Sequence, residues 1–478
     1  MIIPKPKYYA ENGITEVKAQ LCSHSELAFC EKAFKRVFKK LYNVSVSPGE
    51  GGFLLKYDPS LSEKEYKIIG RTVYASSVEG GSYGLATLFQ LLRKEEDRFY
   101  LVDAEILDRP DKDFRTFFSD LARKWHDFSV LLGYVDICYL NKIRYLQLKL
   151  TDNQSWTLPV KCFPNAATKG RSYTFAEIDY LVEYAHEANV EVIPNVNLLG
   201  HTAELIKNCP EAFGNNFDPS VYSADGLLNG AESFADSAYP HNLTCIGKPG
   251  IFSHIRSMYT EIAATFRYSP YIYIGCDEAQ HSKWKHCPDC RAYMKRNRIS
   301  STKHLNAHYI SKIIDICLST GKTPIVAESF APEYSDLMSK EIVVASWENF
   351  YNTTPSLLEA GFQIINMSWK PNYIVPLNQD PNVDVSWSVS GNGFHIYKWQ
   401  HWWEKSQAYP LGIEIQPTDS VIGGVLGQFE CSYEEEHDRV VGNLPMLADR
   451  TWNALDYYSH EEILLYSKNL TQMEEMLY

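Results

Sequence analysis

The stretch YIYIGCDEAQ, residues 271–280, runs apolar and β-prone and then stops at two adjacent carboxylates, Asp277 and Glu278. Carboxyl groups in such a place can give a proton, take one back and steady a positive charge. Neighbouring residues of a strand point to opposite faces, so a sequential pair rarely grips one bond from two sides. Adjacent acids suit another division of labour. One serves as the proton donor, and the other holds and charges a group of the substrate that is itself the nucleophile. A solvated acidic turn after a strand is the plain alternative.

The elements that must position the pair are legible as eight short apolar runs. They are FRTFFSD (114–120), IRYLQLKL (143–150), EVIPNVNL (191–198), YIYIGC (271–276), TPIVAES (323–329), EIVVASW (341–347), FQIINMS (362–368) and VIGGVLGQFE (421–430). Amphipathic segments such as FAEIDYLVEYAHEA and TKHLNAHYISKIIDICLSTG separate most of them; the helix after the fifth run is poorly marked. Near-continuous apolar strands alternating with helices predict a parallel sheet covered on both faces. Eight βα units over about 360 residues predict an α/β fold of the (β/α)8 TIM-barrel type with insertions. In such barrels chemistry sits at the C-terminal ends of the strands. Asp152, Trp347 and the acid pair fall at those ends, and His201 lies just past the third.

Ahead of the barrel, residues 1–107 mix strands (FLLKY, EYKIIGRTVYAS, RFYLVDAEI) with the helix SYGLATLFQLLR, and the polar LDRPDKD follows at 107–113. This pattern predicts a small N-terminal α/β domain over 1–107 and a barrel over 108–478. The chain has 478 residues and a net charge of −13, which gives no footprint for nucleic acid or an anionic membrane. The N-terminus lacks a long apolar stretch, and eleven cysteines without framework spacing suit a reducing compartment. The expectation is a cytoplasmic protein, or a secreted one if a leader has been removed. A homodimer is compatible with the sequence.

Several motifs, in order and at the expected strands, resemble the family 20 glycoside hydrolases, the β-N-acetylhexosaminidases. They are RPDKDFRTFFSDLARKW, LQLKLTDNQSW, EVIPNVNLLGHT, YIYIGCDEA and GQFECSYEEEHDRVVGNLPMLADRTWN. Most glycosidases set two carboxylates roughly 5–10 Å apart across the scissile bond, and this family is among the substrate-assisted exceptions. The resemblance implies a retaining exo-enzyme that removes terminal GlcNAc or GalNAc through an oxazolinium intermediate. It implies Glu278 as general acid and base, and Asp277 as the group that orients the acetamide. Tyr373 would bond the acetamido oxygen, and Asp152 and His201 would orient the acid. Arg115 would bind sugar hydroxyls, Trp347 and Trp369 would wall the pocket, Tyr433 stands where a tryptophan is usual, and Glu434 would contact the 4- or 6-hydroxyl. The acid needs a raised pKa, which burial and a neighbouring carboxylate supply.

The pattern also departs from the family. Ala327 and Glu328 stand where a tryptophan is expected, Val375 where many members carry an Asp, and Asn153, Asn195 and Asn197 where the family has acids. These changes leave two other readings open: a glycosidase that releases a larger or modified N-acetylhexosamine unit, and a carbohydrate-binding barrel without turnover. The partner is in each case an oligosaccharide or glycoconjugate, and the chemistry calls for no cofactor. Cys287 and Cys290 form a Cys-x-x-Cys that is a weak metal candidate, because zinc would need two further ligands.

Overall fold

The computed structural model describes residues 1–216, 241–376, 394–399 and 412–478. Of the aromatic-rich stretch GFHIYKWQHWWEKSQ (393–407), a candidate for stacking on a sugar ring, residues 393 and 400–407 lie outside the described residues.

Residues from Tyr8 to Asp108 build a mixed sheet. Its order is Tyr8–Val17, Arg98–Asp108, Tyr66–Ile69, Thr72–Ala75, Phe53–Tyr57, Gln20–Ser23 and Ser47–Pro48, with Leu92–Glu95 also on Arg98–Asp108. The run EYKIIGRTVYAS, expected as one strand, is a hairpin. Tyr66–Ile69 pairs antiparallel with Thr72–Ala75, and Gly70 makes the turn at φ +56°. A side chain there would meet left-handed backbone strain that glycine avoids. The strand Tyr8–Val17 escapes sequence reading because it is mostly exposed and shows no apolar period.

The helix Val78–Leu91 opens on Ser77, whose hydroxyl accepts from the Gly80 N–H. It is buried along nearly its whole length, because it is sandwiched between this sheet and the barrel helix Phe128–Leu140. Gly84 permits the contact, since a Cβ there would fall 2.3 Å from a methyl of Val73.

All eight predicted runs are strands of one closed parallel barrel: β1 Phe114–Asp120, β2 Tyr145–Lys149, β3 Glu191–Asn195, β4 Tyr271–Gly275, β5 Thr323–Ala327, β6 Val343–Ser346, β7 Gln363–Asn366 and β8 Val421–Gln428. Each pairs with the next, and β8 pairs back onto β1. Alternation divides their side chains. Phe114, Phe118, Tyr145, Ile193, Tyr273, Ile325, Val343, Ile365 and Val425 fill the interior, while Phe117, Leu146 and Leu148 face the helix layer. The poorly marked unit is short in fact. Between β5 and β6 the described structure has only the 3-10 turn Pro332–Leu337.

A buried polar cluster joins the sheet to the barrel. Asp108 Oδ1 accepts from Trp452 Nε1 at 2.9 Å and Oδ2 from the Tyr66 hydroxyl at 2.7 Å, with the buried Lys142 ammonium 3.7 Å away. Burial drives Lys142 down to about 8 against the opposing pull of Asp108.

Candidate active site

A cavity of about 870 Å³ opens at the C-terminal mouth of the barrel. Phe118, Tyr273 and Met367 come up from the interior to line it, and Lys149 and Asn195 reach it from the last residues of β2 and β3.

Both carboxylates of the pair line this cavity. Strand alternation does not forbid it, because β4 has already ended. Gly275, Cys276 and Glu278 take φ of +62°, +73° and +47°, so the backbone turns and both acids face the same space. Left-handed conformations in non-glycine residues cost of order 1–3 kcal/mol and persist where the surroundings impose them. His201, at φ +53°, and Glu430, at +62°, share the feature at other points of the rim.

A chain of charge runs behind the pair. His201 Nε2 lies 3.2 Å from Glu278 Oε2 and 3.6 Å from Asp277 Oδ2, and its Nδ1 is 3.2 Å from Asp152 Oδ1. The other oxygen of Asp152 is 2.6 Å from Lys149 Nζ and 3.0 Å from Arg123 Nε. Asn197 Nδ2 donates to Asp277 Oδ1 at 3.1 Å. Burial works to raise the Asp152 pKa, yet Arg123, Lys149 and His201 hold it well below the ordinary range. Burial works to lower that of His201, yet the Asp152 charge and the hydrogen bonds to Asp152 and Glu278 hold it up, to about 10.

Glu278 departs from expectation. Burial pushes its pKa up, but the hydrogen bond and charge of His201, with Arg123 and Lys149 behind, bring it below the ordinary glutamate value. In the free site the proton between these two residues therefore rests on His201. The sequence reading counted only burial and the neighbouring acid towards this pKa; it named His201 as a positioning group without its charge, and missed Arg123 and Lys149.

Aromatic rings form the opposite wall. Tyr373 stacks on Phe429 at 4.2 Å and 21°, lies parallel to Trp347 at 6.3 Å and 6°, and has Trp369 at 5.8 Å. Glu328, fully buried, holds this wall from behind. Its Oε2 accepts from the Trp347 N–H at 3.1 Å and the Ser346 hydroxyl at 3.0 Å, and Oε1 from the Phe350 N–H at 2.9 Å. Burial pushes its carboxyl up to about 8.

The structure thus brings together Asp152, His201, Asp277, Glu278, Trp347, Trp369 and Tyr373. Three predicted residues lie elsewhere. Arg115 stands at the start of β1, next to the inward Phe114, and so points outward at the wrong end of the barrel. Its guanidinium donates to the Lys142 carbonyl at 2.9 Å, the Lys112 carbonyl at 2.6 Å and the Tyr83 hydroxyl, within the seam to the N-terminal sheet. The arginine that lines the cavity is Arg123, just past the end of the same strand. Tyr433 packs its ring on Tyr478 at 5.3 Å, and Glu434 is exposed in the first turn of the helix Tyr433–Trp452. The acid that lines the cavity is Glu430, 3.4 Å from Arg123. Position relative to the strand ends was the available signal for Arg123, Lys149 and Glu430.

A closed (β/α)8 barrel whose acids, cations and aromatic rings meet in one cavity at the C-terminal mouth has the arrangement of a barrel enzyme. Residues 113–454 match the description Glycosyl hydrolase family 20, catalytic domain, and the chain belongs to that family. It is 26% identical over 324 residues to the beta-hexosaminidase of Vibrio furnissii, covering 63% of this chain and 51% of that one. It is 24% identical over 416 residues to the beta-hexosaminidase subunit beta of Entamoeba histolytica, covering 84% and 69%. The chain thus spans about half the length of the Vibrio furnissii relative and 35% of a Porphyromonas gingivalis one. Among solved structures, the family 20 exo-β-N-acetylglucosaminidase of Vibrio harveyi superposes with a TM-score of 0.80 at 20% identity, covering 99% of this chain and 77% of that one. The β-N-acetylhexosaminidase of Bacteroides fragilis superposes at 0.74 and 18%, covering 99% and 96%. These likenesses show the same fold. Among the described residues no helix is long and apolar enough to cross a membrane.

Proposed function

We propose that the chain is a retaining exo-β-N-acetylhexosaminidase that removes terminal non-reducing GlcNAc or GalNAc by substrate-assisted catalysis. The observation that carries this reading is the acid pair turned into one cavity with His201 and Asp152 behind it. Glu278 protonates the leaving oxygen and later activates water. Asp277, fixed by Asn197, orients the acetamido group and stabilises positive charge as its carbonyl oxygen attacks the anomeric carbon. Tyr373 donates to that oxygen from within the aromatic wall, and Arg123 and Glu430 bind ring hydroxyls. Proton transfer from a placed carboxyl contributes about 10²–10⁴ in rate.

The test is release of 4-nitrophenol from β-GlcNAc, β-GalNAc and β-glucose glycosides, with Glu278→Gln beside the wild type. Activity on the N-acetyl sugars alone, reduced about 10²–10⁴-fold in the variant and inhibited by N-acetylglucosamine thiazoline, is expected. Turnover of the glucoside, or indifference to the thiazoline, would overturn the substrate-assisted part. Sugar binding without turnover would leave a carbohydrate-binding barrel.

A further inference from the structure

The loop after the acid pair carries chemistry that sugar cleavage does not use. Cys287 and Cys290 flank the start of the helix Pro288–Arg296, and a third thiol, Cys245, arrives from the loop that precedes the helix Ile251–Thr265. All three are fully buried and unbridged. Cys245 Sγ lies 3.6 Å from Cys287 Sγ and 3.5 Å from Cys290 Sγ, and the three sulfurs all lie within 4.8 Å of one another. A disulfide would bring two sulfurs to about 2.0 Å. Thiolates arranged tetrahedrally around zinc, with Zn–S near 2.3 Å, stand about 3.8 Å apart. The observed spacing excludes a disulfide and is close to that of ligands around a shared ion.

The surroundings agree. Backbone N–H groups of Asn216 and Cys290 donate to the Cys287 sulfur, and that of Gly247 to the Cys245 sulfur. Gly247 is also what lets the two loops meet, since a Cβ there would fall 2.2 Å from the Asp289 carbonyl carbon. Three buried thiolates without a cation would be a large electrostatic cost. Three neutral thiols packed as small apolar groups are the competing explanation.

We propose that Cys245, Cys287 and Cys290 bind one Zn²⁺ as thiolates, with the fourth position taken by water or another small ligand. Among the described residues no fourth His, Cys, Asp or Glu joins the group. Binding releases the three thiol protons to solvent, and no electron is transferred. The ion ties the loop after β3, which carries His201, to the loop after β4, which carries Glu278. It is thereby a structural clamp across the two halves of the proton relay, with no contact to substrate.

The experiment is metal analysis of the full chain purified without chelator, together with thiol counting under denaturing, non-reducing conditions. About one zinc per chain is expected, as for a single structural site. Exchange with Co²⁺ should give the intense near-ultraviolet sulfur-to-cobalt absorption of thiolate ligation. Cys245→Ser and Cys287→Ser should each lose metal, and Cys22→Ser, at an exposed cysteine, should keep it. A wild type that holds no zinc and takes up neither Zn²⁺ nor Co²⁺ would overturn the proposal, and so would a disulfide among these cysteines. If the serine variants do not fold, the metal content and cobalt spectrum of the wild type decide alone. Neither readout depends on hydrolysis of a sugar.

Discussion

At the scale of residues, the two arginines of β1 and its exit separate sequence from structure most sharply. Arg115 and Arg123 occur in one motif, but Arg115 begins the strand and Arg123 follows its end. Only the second lines the cavity. Arg123→Ala should lower kcat/KM by roughly 10–100-fold, the equivalent of about 1.5–3 kcal/mol for charged hydrogen bonds. Arg115→Ala should leave KM near its wild-type value and lower Tm, because it strips donors from buried carbonyls. Steady-state kinetics beside thermal denaturation tests both, and the reverse pattern would restore the sequence-based assignment. The acid has its own signature. In the proposed mechanism Glu278 must be protonated to act as donor, and His201 holds its pKa below the ordinary value. The protonated fraction therefore shrinks as pH rises, and kcat/KM should fall from acidic pH towards neutrality. His201→Gln removes the cation that depresses Glu278 and should move that descending limb to higher pH. A limb that stays in place would show that His201 does not set the acid.

At the scale of elements, the eight barrel strands were legible because a parallel strand buried on both faces is nearly continuous in apolar residues. Edge and hairpin strands of the N-terminal sheet were less so: Tyr8–Val17 is largely exposed and carries no such signal. Site residues beyond the strand ends were legible only in part. Motif order found Asp277 and Glu278. The left-handed turns that aim Glu278 and Glu430 depend on backbone packing that residue type does not encode. Glu328 illustrates the point. It stands where a pocket tryptophan was expected, and it instead fixes the loop after β6 by accepting from Ser346, Trp347 and Phe350. Above about pH 8, where this carboxyl is ionised, Glu328→Gln turns one accepting oxygen into an amide donor that faces donors. The variant should lose roughly 1–3 kcal/mol of stability, read by denaturant titration, and raise KM for N-acetyl substrates as Trp347 loosens. An unchanged KM would detach this carboxyl from the wall.

At the scale of the whole molecule, buried titrating groups set a pH dependence of stability. Burial raises Glu328 and Glu436 to about 8, and the Asp152 charge, against burial, holds His201 near 10. Each binds more protons folded than unfolded between about pH 6.5, the ordinary histidine value, and pH 8. Stability must then fall as pH rises through that window. Lys142, pushed down to about 8, and His126, His281 and His308, pushed below the ordinary histidine value by burial, act in the opposite sense over parts of the window and offset some of this fall. Tm should therefore decline from pH 6.5 to 8, and a rise across that interval would contradict the protonation states assigned here.

The cluster behind the acid pair has one more consequence. Arg123, Lys149 and His201 set three positive charges against Asp152, Asp277 and Glu278. With Glu430 and Asp120 also on Arg123 and Lys124 on the cavity wall, both signs interleave at contact distance, so the field of the site is short-ranged beside that of a chain of net charge −13. Long-range attraction of this kind is what accelerates encounter with charged ligands and makes it sensitive to ionic strength. A site that cancels its own charges forgoes that advantage. For the uncharged sugar proposed above, encounter would then be by unaided diffusion, insensitive to ionic strength, with selection left to shape and hydrogen bonding at the moment of contact.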